Sequence, residues 1–509
     1  MSFVVGGSFP ASLSPAQQRM TLISNYLSFD DAGGGGTFAQ QYLPELYERE
    51  VERYGNRTIG SFLRMVGAEM PMTSDQVIWS EQNRLHVAYK DNAVTTAGAA
   101  FDIDVTLNLA AAPGGAATSG AVRIGQTILI SDATTGLVTC KALVQNVTNA
   151  GGQDADTLEC SIYDVAVPAA INQAVTGGAL SNLFVYGSEF AKGTIGMDAS
   201  IEPQLTQYSN SPIIIKDSFR INGSDTAQIG WVEVSTEAGQ DGYLWYLKSE
   251  SETRLRFEDY LEMSMVEGVE YVNGGAVDYD YGALYPTTTV PQGGPSGQEI
   301  KGTEGLFAAI EARGNVYSGF AGAAAPGSGA LGDFDEILKN LDKQGAIEEN
   351  MLFLKRQTAL DFDDMVAAMN GSYASTQAAS YGLFENDGDM ALNFGFNGFR
   401  RGSYDFYKTD WKYLNDASTR GLSNEIDGVL VPAGTSTVYD QMLGSNIRRP
   451  FLHVRYRASE TEDRRMKSWI TGSVGGAYTD TLDAMTVSFL SERCLVTQAA
   501  NNFVLFKAA

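Results

Sequence analysis

Residues 231–268, WVEVSTEAGQDGYLWYLKSESETRLRFEDYLEMSMVEG, carry the strongest local instruction in the chain. In the second half Phe257, Leu261 and Met265 recur at intervals of four, with Leu247 near the same side. A helix over 243–268 therefore has one apolar stripe to lay against a sheet while its other faces stay wet. Glu250 stands four residues before Arg254, and Glu252 four before Arg256, an orientation worth about 0.3 kcal/mol per pair in a helix. Gly268, followed by Asn273-Gly274-Gly275, supplies the stop.

The rest of the chain offers strands to cover that stripe. IIIKDSF, with the turn former Asn222-Gly223 beyond it, reads as a strand just before the helix. The segment DAMTVSFLSERCLVTQAANNFVLFKAA reads as two strands joined by a polar turn and returning to the core sheet. Between them, 332–371 is α/β-like. Asp333 is placed as N-cap with Glu336 three residues on, NMLFLKR follows as a buried strand, and LDFDDMVAAMNG as a second helix ending at Asn370-Gly371. Residues 121–164 alternate short strand signals with Gly-rich turns such as SDATTG, which predicts a small β-barrel or two-sheet insertion.

Residues 1–60 read as an arm. Gly33-Gly34-Gly35-Gly36 cannot form a compact unit, and in QYLPELYEREVERY the side chains of Leu43, Leu46, Tyr47, Val51 and Tyr54 mark one side of a short helix. Such an arm is ordered by neighbouring chains rather than by its own contacts. The opening MSFVVGGSFPASLSPAQQRM lacks the features of a secretory signal, and no run reaches transmembrane length, which points to a soluble protein made in a cytoplasm.

The chemistry-bearing residues give few motifs. Cys140, Cys160 and Cys494 form no ligand pattern; Cys140 and Cys160 lie in alternating apolar segments that can share one sheet, and all three read as buried reduced thiols. Two histidines, His86 and His453, exclude a histidine-rich zinc site and, in strand-like surroundings, read as structural. Gly327, Gly329 and Gly332 spell G-x-G-x-x-G without a strand before them, the context of a hinge rather than a nucleotide site. Asp102/Asp104 and Asp278/Asp280 are i,i+2 pairs that a strand would put on one face, ordinary in so acidic a chain. Catalytic residues, cofactor and metal ligands are all expected to be none.

Charge narrows the function further. With 61 acidic against 35 basic residues the formal charge is −26, which argues against a protein whose whole surface grips nucleic acid. The exception is 448–467, where Arg448, Arg449, Arg455, Arg457, Arg464, Arg465 and Lys467 crowd together, interrupted by Glu460, Glu462 and Asp463. A nucleic-acid patch and pairing with carboxylates across a protein interface both fit; arginines beside aromatic strands such as FLHVRYR favour the interface, which Glu250 and Glu252 of the helix and the acidic arm could meet.

Taken together, IIIKDSFRINGSDTAQIGWVEV, ETRLRFEDYLEMSMVEG and WITGSVGGAYTDTLDAMTVSFLSERCLVTQAANNFVLFK resemble the major capsid proteins of tailed bacteriophages, in a lineage of large capsid proteins from marine and gut phages. The resemblance extends over about 40–100 and 180–509 and is most specific at 212–268 and 470–507. It implies an α+β chain of the Hong Kong 97-like fold, with an amino-terminal arm (1–60), an extended β loop (61–210, with a β-rich insertion at 121–164), a peripheral domain (211–274 and 446–509, including spine helix 243–268) and an axial α/β domain (275–445). It further implies no enzymatic activity and self-assembly as hexamers and pentamers into an icosahedral shell enclosing double-stranded DNA, without sequence-specific binding. A separate scaffold, a portal and decoration proteins are the partners implied, with assembly in the bacterial host cytoplasm and no membrane. The arm is expected to stay uncleaved. Leu46, Tyr47, Glu250, Glu252, Arg254, Arg256, Arg448, Arg449, Arg455 and Arg457 are the candidate intersubunit contacts. The alternatives are another phage assembly protein, a tail tube or decoration protein, and an acidic carbohydrate-active enzyme, which would need two carboxylates across one cleft.

Overall fold

A computed structural model describes residues 62–63, 68–82, 86–96, 102–109, 120–148, 156–164, 180–197, 205–224, 233–235, 241–270, 302–318, 330–345, 347–362, 397–433, 435–440, 445–474 and 478–508. At 96, 233–235, 241–249, 330–333, 397, 399, 435–440 and 445–449 it is the backbone that is described. The architecture is mixed α+β and mostly strand. Two compact units are present, Ile78–Ser209 and the remainder, Met1–Val77 with Asn210–Ala509.

The strands in chain order are β1 Ala68–Met72, β2 Val77–Gln82, β3 Ala88–Thr96, β4 Asp102–Thr106, β5 Gln126–Asp132, β6 Val138–Thr148, β7 Thr157–Ile162, β8 Ser181–Ser188, β9 Leu205–Asn210, β10 Ile213–Asn222, β11 Glu233–Ser235 and β12 Asp241–Tyr243. Helix α1 Leu244–Glu267 follows, then α2 Leu306–Arg313, β13 Asn315–Ser318, α3 Ala330–Gln344, β14 Glu349–Leu354, β15 Asn397–Arg401, β16 Tyr404–Asp410, β17 Ile426–Pro432, β18 Thr435–Asp440, β19 Ser445–Pro450, β20 Leu452–Arg457, β21 Lys467–Gly472, β22 Ala484–Thr497 and β23 Val504–Lys507.

In the Ile78–Ser209 unit six strands close into a barrel in the order β3-β4-β7-β6-β5-β8. Alternation sets the inside: Ile103, Val105, Ile128, Ile130, Ala142 and Leu158 are wholly buried, while Asp102 and Asp104 turn outward on the same strand as Ile103 and Val105. Closure requires β3 to bend. Asp91 takes a left-handed φ of 58° where the β3–β8 register shifts, and the buried Asn92 donates to the Tyr89 and Ser181 carbonyls at 3.0 Å and accepts from Asn108 N–H, satisfying the backbone groups that the bulge exposes. The turn expected at SDATTG forms, with the Asp132 carboxylate accepting from Thr135 and Thr134 N–H at 2.6 and 2.8 Å; these bonds, that from Thr135 first, hold its carboxyl below the usual range. The β-rich character expected of 121–164 is present, but the segment is no separate module: it supplies β5, β6 and β7, and β3, β4 and β8 from outside it complete the barrel. Short strands with open edges pair with whatever strand closes the sheet, and here those lie on both sides of the predicted boundary.

The larger unit contains a five-stranded and a six-stranded sheet. The five-stranded one has the order β1-β20-β22-β10, with β21 also on β22. Here α1 lays the stripe foreseen in the sequence: Phe257, Leu261 and Met265 are 0, 5 and 0% exposed, and Phe257 stacks on Phe489 of β22 at 5.7 Å. Leu247 is among the residues whose side chains are not described. α1 ends at Gly268 as expected, because its backbone meets that of Gly305 closely enough that a Cβ on Gly305 would come 2.6 Å from Gly268 N. The Gly305 N–H donates to the Gly268 carbonyl at 2.8 Å.

The six-stranded sheet runs β13-β23-β17-β14-β16-β15. Its central strands are apolar on both faces because both are covered. Phe353, Val429, Val431 and Leu505 meet Met265 and Val266 of α1 and Leu306 and Ile310 of α2; Leu352, Leu354, Leu430, Val504 and Phe506 meet Phe334, Ile337 and Leu341 of α3 and Phe362 of the helix 356–362. Three sequence expectations change. Asp333 is not an N-cap, since α3 begins at Ala330 and Asp333 lies inside it. The two terminal strands do not share a sheet: β22 crosses the five-stranded sheet and β23 is interior to the six-stranded one. As a consequence β23, foreseen with the peripheral segment, completes the sheet built from residues of the axial segment, and β1, foreseen with the extended loop, pairs in parallel with β20. The Asn370-Gly371 helix end and most of the G-x-G-x-x-G run lie outside the described residues.

Candidate functional site

The charged residues converge on the five-stranded sheet. Parallel pairing of β1 with β20 sets Glu69 opposite Val454 and Met72 opposite Arg457, while antiparallel pairing sets Tyr456 of β20 opposite Arg493 of β22. Three distant segments thereby bring carboxylates and guanidinium groups together. Glu492, 4% exposed, accepts from Arg457 Nη1 at 2.9 Å and pairs with Arg464 Nε at 2.7 Å. Arg457 also reaches Asp75 and the Thr73 carbonyl. Arg465 pairs with Glu69, and Arg493 lies 3.5 Å from the same carboxylate while donating to Ser491 Oγ and the Arg465 carbonyl. Removing one partner from such a buried pair leaves a charge uncompensated, which is strongly destabilising.

Beside this network lies a cleft of ≈ 380 Å³ between α1 and the 463–466 loop, lined by Glu69, Arg254, Glu258, Glu262, Asp463, Arg465 and Arg493 among others. Its carboxylates are occupied: Glu258 is 3.4 Å from Arg254, Glu69 pairs with Arg465, and Glu262 Oε1 accepts from Phe62 N–H at 2.8 Å. The arrangement fastens β1, α1 and β22 to one another; it offers chemistry of ion pairing rather than a poised acid and base. Among the described residues no group of three or more His, Cys, Asp and Glu stands close enough to hold a metal ion, and no helix is long and apolar enough to cross a membrane.

The two faces of the sheet differ in charge. α1 carries Glu250, Glu252, Glu258, Asp259, Glu262 and Glu267 against Lys248, Arg254 and Arg256. On the opposite face directly paired residues share a side: Lys216 of β10 lies across from Leu490 and Arg220 from Thr486, and from β21 Lys467 also faces Leu490 and Trp469 faces Ser488. Lys216, Ser218 and Arg220 are exposed, Trp469 is 37% exposed with Lys467 Nζ 6.0 Å from its ring, and Arg220 Nε donates to Thr486 Oγ1 at 3.2 Å. The acid of β22 on this side is Glu492, already neutralised.

The predicted contact residues are distributed as follows. Leu46 and Tyr47 lie outside the described residues, and Arg448 and Arg449 lie on β19, where the backbone is described. Glu250 lines a second groove, of ≈ 330 Å³, with Arg254, Trp469 and Ile470, and Glu252 is exposed. The expected helix pairs are replaced: Arg254 reaches forward to Glu258, and Arg256 turns to Asp217 of β10 at 3.7 Å and Thr253 at 3.3 Å, because the sheet offers Arg256 a carboxylate on its own side. Arg455 donates to the Pro71 carbonyl at 3.4 Å, and Arg457 is held by Glu492 and Asp75, so both have partners within the chain. His453 is buried with Nδ1 3.2 Å from the Pro450 carbonyl, whereas His86 is exposed on a bend before β3 rather than in a strand. The three cysteines are free and buried; burial pushes the Cys140 and Cys494 thiols up to about 12 and raises Cys160 further. Glu69, Asp75, Glu492 and Lys216 were not foreseen, since what unites them is strand register between remote segments.

No protein-family model matches the chain, and no curated relative matches it. Solved structures do match. One from Microbacterium phage Oxtober96 is 9% identical, covers 92% of this chain and 96% of its own, and superposes with a TM-score of 0.35. One from Mycobacterium phage Bobi is 9% identical over 92% and 95%, with a TM-score of 0.37. A third, the asymmetric unit of bacteriophage PhiM1 mature capsid, is 7% identical over 64% and 79%, with a TM-score of 0.32.

Proposed function

We propose that this chain is the major capsid protein of a tailed bacteriophage, with a Hong Kong 97-like fold, and that its role is structural rather than catalytic. The observation that carries the reading is that the two most family-like stretches of sequence, 212–268 and 470–507, meet in one packing unit: β10 and α1 from the first against β21 and β22 from the second. A 24-residue helix fixed along a sheet is a plate, and a plate suits a shell in which one chain occupies many nearly equivalent environments. In this reading the barrel belongs to the extended loop, α1 is the spine helix, the six-stranded sheet is the axial domain, and residues before 61 are an amino-terminal arm. Hexamers and pentamers enclose double-stranded DNA without reading its sequence, and scaffold, portal and decoration proteins are separate chains. Arms and loops that cross neighbours add contact area, of which the part exceeding the cost of ordering stabilises the shell. Expression of the full chain with electron microscopy is the test: closed particles with a regular hexamer and pentamer lattice are expected. Stacked rings or tubes would instead identify a tail-tube role, and a monomer that stays soluble at high concentration would overturn self-assembly.

A further inference from the structure

We propose that the outer face of β6, β5 and β8 in the barrel is a binding site for a neutral polysaccharide of a cell surface, with Tyr163, Phe184 and Tyr186 as platforms for sugar rings and Lys141 and Glu189 as hydrogen-bonding groups beside them. The inference goes beyond the capsid reading and does not depend on it. The three strands are neighbours in the closed order. Register places Lys141 of β6, Leu129 of β5 and Phe184 of β8 directly opposite one another, on the side away from the buried Ile128, Ile130 and Ala142. Tyr186 is the extra residue of a bulge, since Val185 pairs with Ile128 and Gly187 with Thr127, and Lys141 Nζ stands 5.7 Å from its ring. Tyr163 is pinned beside Lys141: its N–H donates to the Lys141 carbonyl at 3.1 Å and its hydroxyl to Glu189 at 2.6 Å. Phe184, Tyr186 and Tyr163 are nevertheless 42, 47 and 52% exposed, whereas the outer face of β4 and β7 carries Asp102, Asp104 and Glu159. Side chains this large ordinarily give their area to a core; here they are held at the surface in one sector.

Size and charge select the occupant. From Lys141 to Phe184 is two strand spacings, about 10 Å, a span that suits a short run of sugar rings and falls far short of the roughly 800 Å² per partner of a stable protein interface. Between 78 and 209 acidic residues outnumber basic ones, which disfavours nucleic acid, anionic lipid and acidic glycans, all of which call for clustered cations. A purely apolar ligand would strip water from Lys141 and Glu189 without replacing its hydrogen bonds. A neutral sugar ring satisfies both kinds of group: its C–H face lies on an aromatic ring, and its hydroxyls accept from Lys141 and donate to Glu189, whose carboxylate has capacity beyond the one bond from Tyr163.

Biolayer interferometry of the full chain on immobilised dextran, mannan, laminarin and galactan tests the site, with the acidic polysaccharide alginate as control. Binding to at least one of the neutral polysaccharides is expected, and none to alginate. Phe184→Ala and Tyr186→Ala are each expected to weaken it by about tenfold or more, Tyr186→Phe to retain it, and Glu159→Gln, on the outer face of β7 away from the rings, to leave it unchanged. Should either alanine variant lower the unfolding midpoint, Glu189→Gln, which keeps all three rings, must still weaken binding. No binding to any of the neutral polysaccharides, binding that the ring and Glu189 variants leave undiminished, or a preference for alginate overturns the proposal. So does self-association that depends on Tyr186 in a chain that binds no glycan, since the face would then be a protein contact. Failure of the wild-type chain to form shells would overturn the capsid reading and leave each of these outcomes to be read as before.

Discussion

In the barrel β4 and β7 bury alternate residues and three of the six pairings join consecutive strands, whereas in the five-stranded sheet the pairing joins Ala68 to His453 and Ile213 to Arg493, and β22 is buried along most of its length. The barrel removes its edges by closing on itself around an apolar core. The plate leaves edges and one charged face open and holds its remote segments together with guanidinium–carboxylate contacts as well as apolar packing. The contrast indicates that a small closed sheet can be stable through its own core, while a plate built from remote segments needs ion pairs at the seams, and needs neighbours for what it leaves uncovered.

The largest break in this comparison is deletion. Replacing 88–188 by a short Gly/Ser linker is expected to leave the plate folded, with one cooperative unfolding transition and protected amides in β22. Removing 121–164 instead is expected to unfold what remains of the barrel, since three of its staves go with it; protected amides in β3 and β4 after that deletion would contradict closure. Core truncation comes next. Phe257→Ala removes the ring between α1 and β22 and is expected to cost about 3–5 kcal/mol in the plate, and Ile128→Ala about 2–5 kcal/mol in the barrel. If the two units unfold independently, hydrogen exchange will show each loss confined to its own unit.

Glu492→Gln sharpens the contrast on the electrostatic side. It leaves Arg457 and Arg464 facing a neutral amide in a buried seam and is expected to destabilise the plate by about 3 kcal/mol, measured by urea denaturation. A neutral result would mean that apolar packing alone holds the seam. A smaller effect follows from the thiols. An ordinary thiol of 9.0 that burial pushes up to about 12, as at Cys140, keeps its proton in the folded state after the unfolded chain has begun to lose it. The folded state then binds more protons, so stability falls as pH rises from about 9 towards 12. Replacing Cys140 and Cys160 in the barrel, or Cys494 in the plate, by Ala is expected to shrink the slope of the unit concerned across that window; Cys→Ala variants that show the same slope would contradict the assignment. Least of all in the monomer is Arg254→Glu. Its side chain is 62% exposed and its pair with Glu258 is worth a few tenths of a kcal/mol, roughly 0.5 at most, so helicity should be unchanged while particle yield falls if this surface meets a neighbour. Full yield would remove Arg254 from the assembly contacts.

The apolar stripe of α1, its stop at Gly268, the strands β10, β14 and β22 and the turn at 132–136 could all be read directly, because each rests on periodicity or turn chemistry within a few residues of sequence. The partners of Arg254 and Arg256 could not. The spacing that suggested Glu250 and Glu252 is a preference of an isolated helix worth a few tenths of a kcal/mol, and a sheet carboxylate such as Asp217 outweighs it once the helix is docked. The start of α3 was displaced for a similar reason, since a capping pattern at Asp333 competes with packing that extends the helix to Ala330.

By itself the sequence determined the kinds of element, the buried thiols of an acidic chain and the helix around which the plate is built, because these depend on local spacing and composition. Tertiary structure decided which strands close the barrel, that β22 and β23 part into different sheets, and that Glu69 and Glu492 rather than a distant surface receive the arginines of 457–493. Those outcomes depend on register between segments hundreds of residues apart. Strand pairing is specified by the fit of whole faces and the closure of the sheet, and no single segment contains that information.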